Sequence, residues 1–235
     1  MRRRQVAQTD PVDDCCGSPA PDEHPGVDRY DAVFDARFAQ RMARRYTRHG
    51  PSEPERRMLA FLTDEVGVVG SRVLEIGGGV GELQLALLAR GATSAENLEL
   101  SSAYESQAAR LANEAGVADR VTRKVGLDLA EHPDAVDRAD IVLLHRVVCC
   151  YPDADRLLAA AADAARRALV FTHPPVTRMT RFAVAAENLM MRLIGRSYRG
   201  YVHSPESMID VLARHGLRTE LRERDGAWCV VGARR

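Results

Sequence analysis

The stretch Val73-Leu-Glu-Ile-Gly-Gly-Gly-Val-Gly81 concentrates the chemistry of this chain. An apolar run ends in Gly77, and glycine at such a junction removes the Cβ atoms that would keep backbone N–H groups away from a ligand. A dinucleotide fingerprint would need glycine where Glu82 stands, and a P-loop would need a Gly-Lys-Ser/Thr ending that is absent. What remains is acidic-x-Gly-x-Gly-x-Gly, from Glu75 to Gly81. A second apolar run, Asp140–His145, ends in histidine. Imidazole titrates near neutral pH, so His145 is a candidate general base; a strand-end histidine satisfied by backbone is the alternative. His173, ahead of Pro174-Pro175, is a second candidate of the same kind. Cys15-Cys16 and Cys149-Cys150 are vicinal pairs, with Cys229 left over. Adjacent cysteines rarely bridge each other, and the odd count points to a reducing compartment. Thiolates bind soft metalloids, while burial beside an apolar strand is the other reading of Cys149-Cys150. No Cys/His spacing reads as a zinc site, so no metal is expected.

The elements that must position these groups alternate. Short apolar runs at Arg72–Ile76, Asn97–Leu100, Arg120–Val125, Asp140–His145 and Ala168–His173 are separated by helical patterns near 80–90, 102–115 and 153–167. Strands spaced by helices predict βαβ units and a parallel sheet. Leu217–Arg224 and Ala227–Ala233, close together across Asp225-Gly226, predict a closing antiparallel hairpin. Ahead of the sheet, Tyr30, Phe34, Phe38, Met42 and Tyr46 recur every four residues, which predicts a helix over 28–48 that Gly50-Pro51 ends. Ser52 with Glu55 reads as a capping box opening another helix, with Met58, Leu62 and Val66 on its buried face. After the fifth strand, Met179, Phe182, Ala186, Leu189, Met190 and Leu193 fall at helical spacing, and residues 177–201 carry five Arg against one Glu.

With the glycine turn between a strand and a helix, the chain resembles the class I S-adenosylmethionine-dependent methyltransferases; its Val147-Val-Cys-Cys-Tyr-Pro-Asp153 run, its helical insertion and its Tyr201-x-His203 segment resemble their bacterial small-molecule type and, more distantly, those acting on magnesium-porphyrin carboxylates. The resemblance spans roughly residues 70–175, with the hairpin fitting beyond. It implies a Rossmann-like α/β fold: a doubly wound, mostly parallel sheet with a C-terminal antiparallel hairpin, N-terminal helices and a helical insertion after the fifth strand. It implies S-adenosylmethionine as cofactor. Carried over by position, Glu75 organises the turn and the donor's amino-acid end, and Gly77, Gly78, Gly79 and Gly81 form the turn around the ligand. Glu99, followed by Leu100, falls where such families place an acid on the ribose hydroxyls; a solvated strand end is the alternative. In Val125-Gly126-Leu127-Asp128, Asp128 corresponds to the acid that faces the adenine amino group, one position later than usual. Capping its own loop is the alternative for Asp128, and Leu127 is placed against the adenine face.

Ligands of open α/β sheets bind beyond the carboxyl ends of the strands, which places His145 and His173 toward the donor methyl. Tyr151-Pro152 resembles the proline-aromatic turn of amino-methylating enzymes, without their Asn-Pro-Pro-Tyr pattern. His145, Tyr151 and His173 are therefore the catalytic candidates, with His145 also reaching the donor. Residues 27–68 are expected to form a helical lid and 177–203 a helical insertion over the same edge. Tyr30, Phe34 and Phe38 from one side, with Met190, Tyr198 and Tyr201 from the other, are expected to wall the acceptor pocket, with Met and Phe side chains mostly packed.

The 235 residues comprise 46% hydrophobic and 28% charged types, a globular composition. Residues 1–26 are rich in Pro, Gly and acids and are expected to be disordered, leaving 27–235 as one methyltransferase domain. The formal net charge is zero, with 33 basic and 33 acidic side chains, so neither general nucleic-acid binding nor membrane-surface binding, which relies on a basic field, is expected. No run is long and apolar enough to span a membrane, and no apolar stretch follows Met1-Arg2-Arg3-Arg4, so a cytoplasmic protein, monomer or homodimer, is expected. The reading is methyl transfer to a small aromatic or apolar acceptor at O or N. Metalloid or thiol methylation through the vicinal cysteines is one alternative, and a non-catalytic S-adenosylmethionine-binding regulatory module is another.

Overall fold

The computed structural model describes residues 28–31 and 33–235. The expected disordered segment 1–26 and the Cys15-Cys16 pair lie outside the described residues. Seven strands form one sheet: β1 (Arg72–Ile76), β2 (Ser94–Glu99), β3 (Val121–Val125), β4 (Ala139–Leu144), β5 (Ala165–His173), β6 (Arg218–Asp225) and β7 (Trp228–Arg234). Their order is β3-β2-β1-β4-β5-β7-β6. β1 to β5 run parallel, and β7 inserts antiparallel between β5 and β6. The order reverses beside β1, so the carboxyl ends of β1 and β4 diverge around a crevice, the usual ligand position in open α/β sheets.

The central strands are apolar on both faces because helices cover both. Val142, Leu144, Leu169 and Phe171 face one core with α6 (Ala154–Ala164) and α8 (Pro205–Arg214). Ile141, Leu143, Ala168 and Val170 face the other, with α2 (Ala36–His49), α3 (Glu53–Ala60), α4 (Glu82–Leu88) and α5 (Glu105–Glu114). Each of the Val, Leu, Ile and Phe side chains among them, taken fully out of water, contributes about 1.5–3 kcal/mol before entropy is counted. The hairpin closes through Gly226-Ala227, with Asp225 paired to Trp228 and Gly226 at φ 59°.

The sequence reading needs three corrections of extent. The helix expected over 28–48 is broken: a turn α1 (Asp28–Asp31) precedes α2, whose N-cap is Asp35. The Asp35 side chain accepts the Phe38 N–H and so restarts the helix inside the four-residue repeat. The helix expected to 167 ends at Ala164, because β5 begins at Ala165 to pair with Ala139. Glu53–Ala60 continues as a π-helical turn, Phe61–Val66, ended by Gly67. The insertion α7 (Arg178–Leu193) forms, capped by Thr177, but its Met and Phe side chains are not packed: Met179, Phe182, Leu189, Met190 and Leu193 are exposed and only Met191 is buried.

Candidate functional site

The turn after β1 is built to come close to its surroundings. Gly79 has φ 54°, a left-handed conformation that favours glycine. A Cβ on Gly78 would fall 2.2 Å from Asn97 Nδ2 and 2.6 Å from Glu75 Cδ, so the turn admits no side chain there. Gly81 is the N-cap of α4 and is not part of the cleft lining. The other turn residues, Gly77, Gly78 and Gly79, line a cleft at the carboxyl edge of the sheet.

Carboxylates gather along this cleft. Glu99, at the end of β2, is buried and accepts the Gly79 N–H at 2.8 Å and the Ser101 N–H at 3.0 Å. Burial raises its pKa, against the pull of those N–H groups and of Arg123. Glu75 accepts the Gln84 N–H at 3.2 Å, and burial pushes it up to about 8, so it holds a proton at neutral pH. Asp128 accepts the Tyr151 hydroxyl at 3.0 and 3.1 Å and caps its loop through Ala130 N–H at 2.9 Å. Asp128 thus caps its loop and also lines the cleft. Burial and the Asp128 charge raise the Tyr151 pKa, so the phenol stays protonated. Leu100 and Leu127 line the same cleft.

His145 lies one residue past β4, with its side chain 10% exposed. Its Nδ1 meets Thr172 Oγ1 at 3.1 Å and its Nε2 faces Glu55 Oε1 at 3.8 Å. Burial lowers its pKa to about 4, with Arg146 and Arg45 adding to the shift and Glu55 opposing it. The side chain is therefore neutral at pH 7. Arg146, next in the chain, takes φ 60°, a conformation that costs about 1–3 kcal/mol for a residue with a Cβ. Its N–H donates to Thr172 Oγ1 at 2.9 Å, and its guanidinium lies 5.0 Å from the Trp228 ring centre. Together these contacts hold the bend that presents His145.

An ion cluster reaches the cleft from the N-terminal helices. Arg45 donates to Glu55 at 3.2 Å and to Glu82 at 3.0 Å. Burial pushes both carboxyls up. Glu55 nevertheless ends well below the ordinary range, because the Glu82 carboxyl and Ser52 hydrogen-bond to it. Burial and the Glu55 charge leave Glu82 above that range. Glu55, Glu82, Tyr104 and Arg146 all line the cleft and were not singled out from sequence. Glu55 was visible only as a cap, and Glu82 only as the residue that spoils a dinucleotide fingerprint.

The aromatic wall forms in part. Tyr30, Phe34 and Phe38 line the cleft. Tyr198 packs edge-on to Phe34, ring centres 5.6 Å apart, and its hydroxyl meets Cys150 Sγ at 3.1 Å, one layer behind the cleft. Tyr201 does not reach it: it stacks on His203 at 5.7 Å, while its N–H donates to Cys149 O at 2.7 Å. His173 is also outside the lining, turned toward Pro174 O at 2.9 Å. Its neighbour Thr172 faces His145, and successive side chains of a strand point to opposite faces, which turns His173 to the other side of β5. Cys150 lines the cleft while Cys149, with its sulfur 3.7 Å away, does not. Among the described residues no cluster of three or more His, Cys, Asp or Glu side chains could hold a metal.

No protein-family model matches the sequence, and no curated protein sequence does. Solved structures do match. A magnesium protoporphyrin IX methyltransferase from Synechocystis PCC 6803, solved with SAH, superposes with a TM-score of 0.64 at 19% identity over 90% of this chain and 95% of that one. The fold is that of the class I methyltransferases. An O-methyltransferase family 2 protein from Planctomyces limnophilus, in complex with apigenin, gives 0.61 at 19% identity, over 88% of this chain and 64% of that one. An S-adenosylmethionine-dependent methyltransferase from Mesorhizobium loti gives 0.58 at 17% identity, over 78% and 99%. No helix among the described residues is long and apolar enough to cross a membrane.

Proposed function

We propose that this protein transfers a methyl group from S-adenosylmethionine to an oxygen or nitrogen of a small aromatic or apolar acceptor. The observation that carries the proposal is Glu99. Its carboxylate ends β2 inside the cleft and is tied to the glycine turn through Gly79 N–H at 2.8 Å. Each of its oxygens keeps a lone pair for a ribose diol. The rest of the donor set fits the same molecule. Asp128 offers an acceptor for an exocyclic amino group and Leu127 an apolar face. The donor, when bound, supplies an electrophilic methyl group. What this chain contributes is positioning: Tyr30, Phe34 and Phe38 close the cleft against water and hold the acceptor in line.

His145 is the proposed proton acceptor for an ionisable acceptor, with the Glu55 carboxylate 3.8 Å away to stabilise the imidazolium once formed. His145→Ala is expected to lower kcat roughly 100-fold while donor affinity changes less than about twofold. The rate should also be flat between about pH 5 and 8, because a histidine lowered to about 4 is already neutral there. Equal losses in rate and donor affinity, or an inflection near the ordinary histidine value, would remove His145 from this role.

Calorimetry on the full chain tests the donor site itself. S-adenosylmethionine and S-adenosylhomocysteine should bind and NAD should not. Binding of NAD, or of none of the three, would overturn the reading. Donor binding without turnover across a panel of phenols, carboxylic acids and amines would favour the regulatory module instead.

A further inference from the structure

Helix α7 is mounted back to front. Within Arg178–Leu193 Thr180, Val184 and Asn188 are half-buried, Met191 is buried, and the other side chains are exposed. These four lie close to one helical stripe, and Asn188 pins it by exchanging hydrogen bonds with Gly200, at 2.9 Å to the carbonyl and 2.8 Å from the N–H. The opposite stripe is apolar and points to solvent: Met179, Phe182 and Leu193 are 81%, 76% and 78% exposed, with Leu189, Met190 and Ile194 beside them. A surface helix ordinarily turns its apolar stripe inward. A contiguous apolar patch of this kind marks an interaction site.

The charge around the patch selects its partner. Arg178, Arg181 and Arg192 run along one edge of the stripe and Arg196 follows just past its end, all exposed. None of them makes an ion pair among the described residues. Glu187 is the sole acid between residues 177 and 201. A second copy of the chain fits this badly. A two-fold axis that pairs two such helices antiparallel brings the arginine edge of one against the same edge of the other. A parallel pair offers those arginines one glutamate. A bilayer with acidic headgroups meets both demands, taking the apolar stripe into the headgroup–acyl boundary and the guanidinium groups onto phosphates.

We infer that the outer face of α7, led by Met179, Phe182 and Leu193 and edged by Arg178, Arg181 and Arg192, docks the protein on an anionic lipid surface. Met191, on the inner face, packs with Tyr30 and Tyr198, so the docked helix is joined to the rim of the cleft. An acceptor dissolved in lipid would then reach the cleft along the side that touches the membrane; this consequence alone rests on the methyltransferase reading.

Vesicle flotation of the full chain tests the docking. Binding is expected to vesicles containing roughly one-third phosphatidylglycerol, weakening as salt rises from about 0.1 to 1 M, and little is expected to pure phosphatidylcholine. Phe182→Asp with Leu193→Asp should reduce binding at least tenfold. Each of Arg178→Gln, Arg181→Gln and Arg192→Gln should reduce it roughly fivefold. Circular dichroism and donor calorimetry on the same variants show whether they fold. If the double variant does not fold, the lipid and salt comparison on the unaltered chain decides. Absence of flotation with phosphatidylglycerol, or equal binding to both vesicle types, overturns the inference. A dimer in light scattering that Leu193→Asp dissolves, without vesicle binding by the parent, would assign the face to a second copy. Donor binding that fails while flotation succeeds would sink the transferase reading and leave the docking intact.

Discussion

Glu99→Ala is expected to weaken S-adenosylmethionine binding by about 2–3 kcal/mol, roughly 30- to 150-fold, in calorimetry near pH 7.5. Two losses add. The ligand would lose charge-assisted hydrogen bonds from its diol. The turn would also lose its tie to β2, since the Gly79 and Ser101 N–H groups both end on this carboxylate. Glu99→Gln should fall between the two, because it keeps one acceptor oxygen and loses the charge. The proton adds a second signature. Burial raises the Glu99 pKa, so donor affinity should begin to fall at a higher pH than an exposed glutamate would dictate. A loss of a few tenths of a kcal/mol in a folded Glu99→Ala variant would mean that the carboxylate does not face the donor.

The place of Glu99 in the cleft was legible in the sequence because it sits at a strand end, and strand ends follow from short apolar runs. The same holds for the Gly77–Gly79 turn and, one loop on, for Asp128. Glu55 was not legible in that way. Its neighbours in sequence, Ser52 above all, account for it as a local cap, and that cap is present. Its other partners arrive from α2, α4 and the end of β4, and their convergence is a property of the packed layers. The break before α2 was hidden for the opposite reason. Tyr30, Phe34 and Phe38 keep their four-residue spacing across it, and the side chain that restarts the helix, Asp35, is polar and silent in an apolar pattern. Helix α7 shows a third limit. Apolar periodicity located its apolar stripe correctly but carries no sign: it cannot say whether the stripe meets the protein or the outside. His173 lies on the other side of β5 from Thr172, and Tyr201 belongs to the loop after α7, so nearness to the carboxyl edge does not by itself put a side chain in the cleft lining.

Glu55→Ala is expected to destabilise the protein by about 2–4 kcal/mol in urea unfolding near pH 5. The side chain is 1% exposed, accepts both the backbone N–H and the hydroxyl of Ser52, and faces Arg45 and His145. Loss of the cap alone costs about 1 kcal/mol, and the buried donors left behind cost about as much again or more. Removing one member of a buried ion cluster can reach about 3–5 kcal/mol when a charge is stranded. Here the stranding is relieved, because Glu82 can give up its proton and answer Arg45 at 3.0 Å in place of Glu55. That exchange fixes the pH dependence. Glu82 has a folded-state pKa raised above 4.5, so in the parent its contribution is fully present below that value and is lost as pH rises through the raised one. Glu55 has a folded-state pKa below 4.5, so its contribution is present above 4.5 and is lost as pH falls through the lowered one. The variant lacks the second dependence outright and part of the first, since burial still raises Glu82 and only the Glu55 charge and hydrogen bond are lost. Its deficit should therefore peak near pH 5 and shrink toward both pH 3 and pH 8. A deficit below about 1 kcal/mol at pH 5, or one that grows steadily toward pH 8, would mean that Glu55 and Glu82 do not share a proton across Arg45.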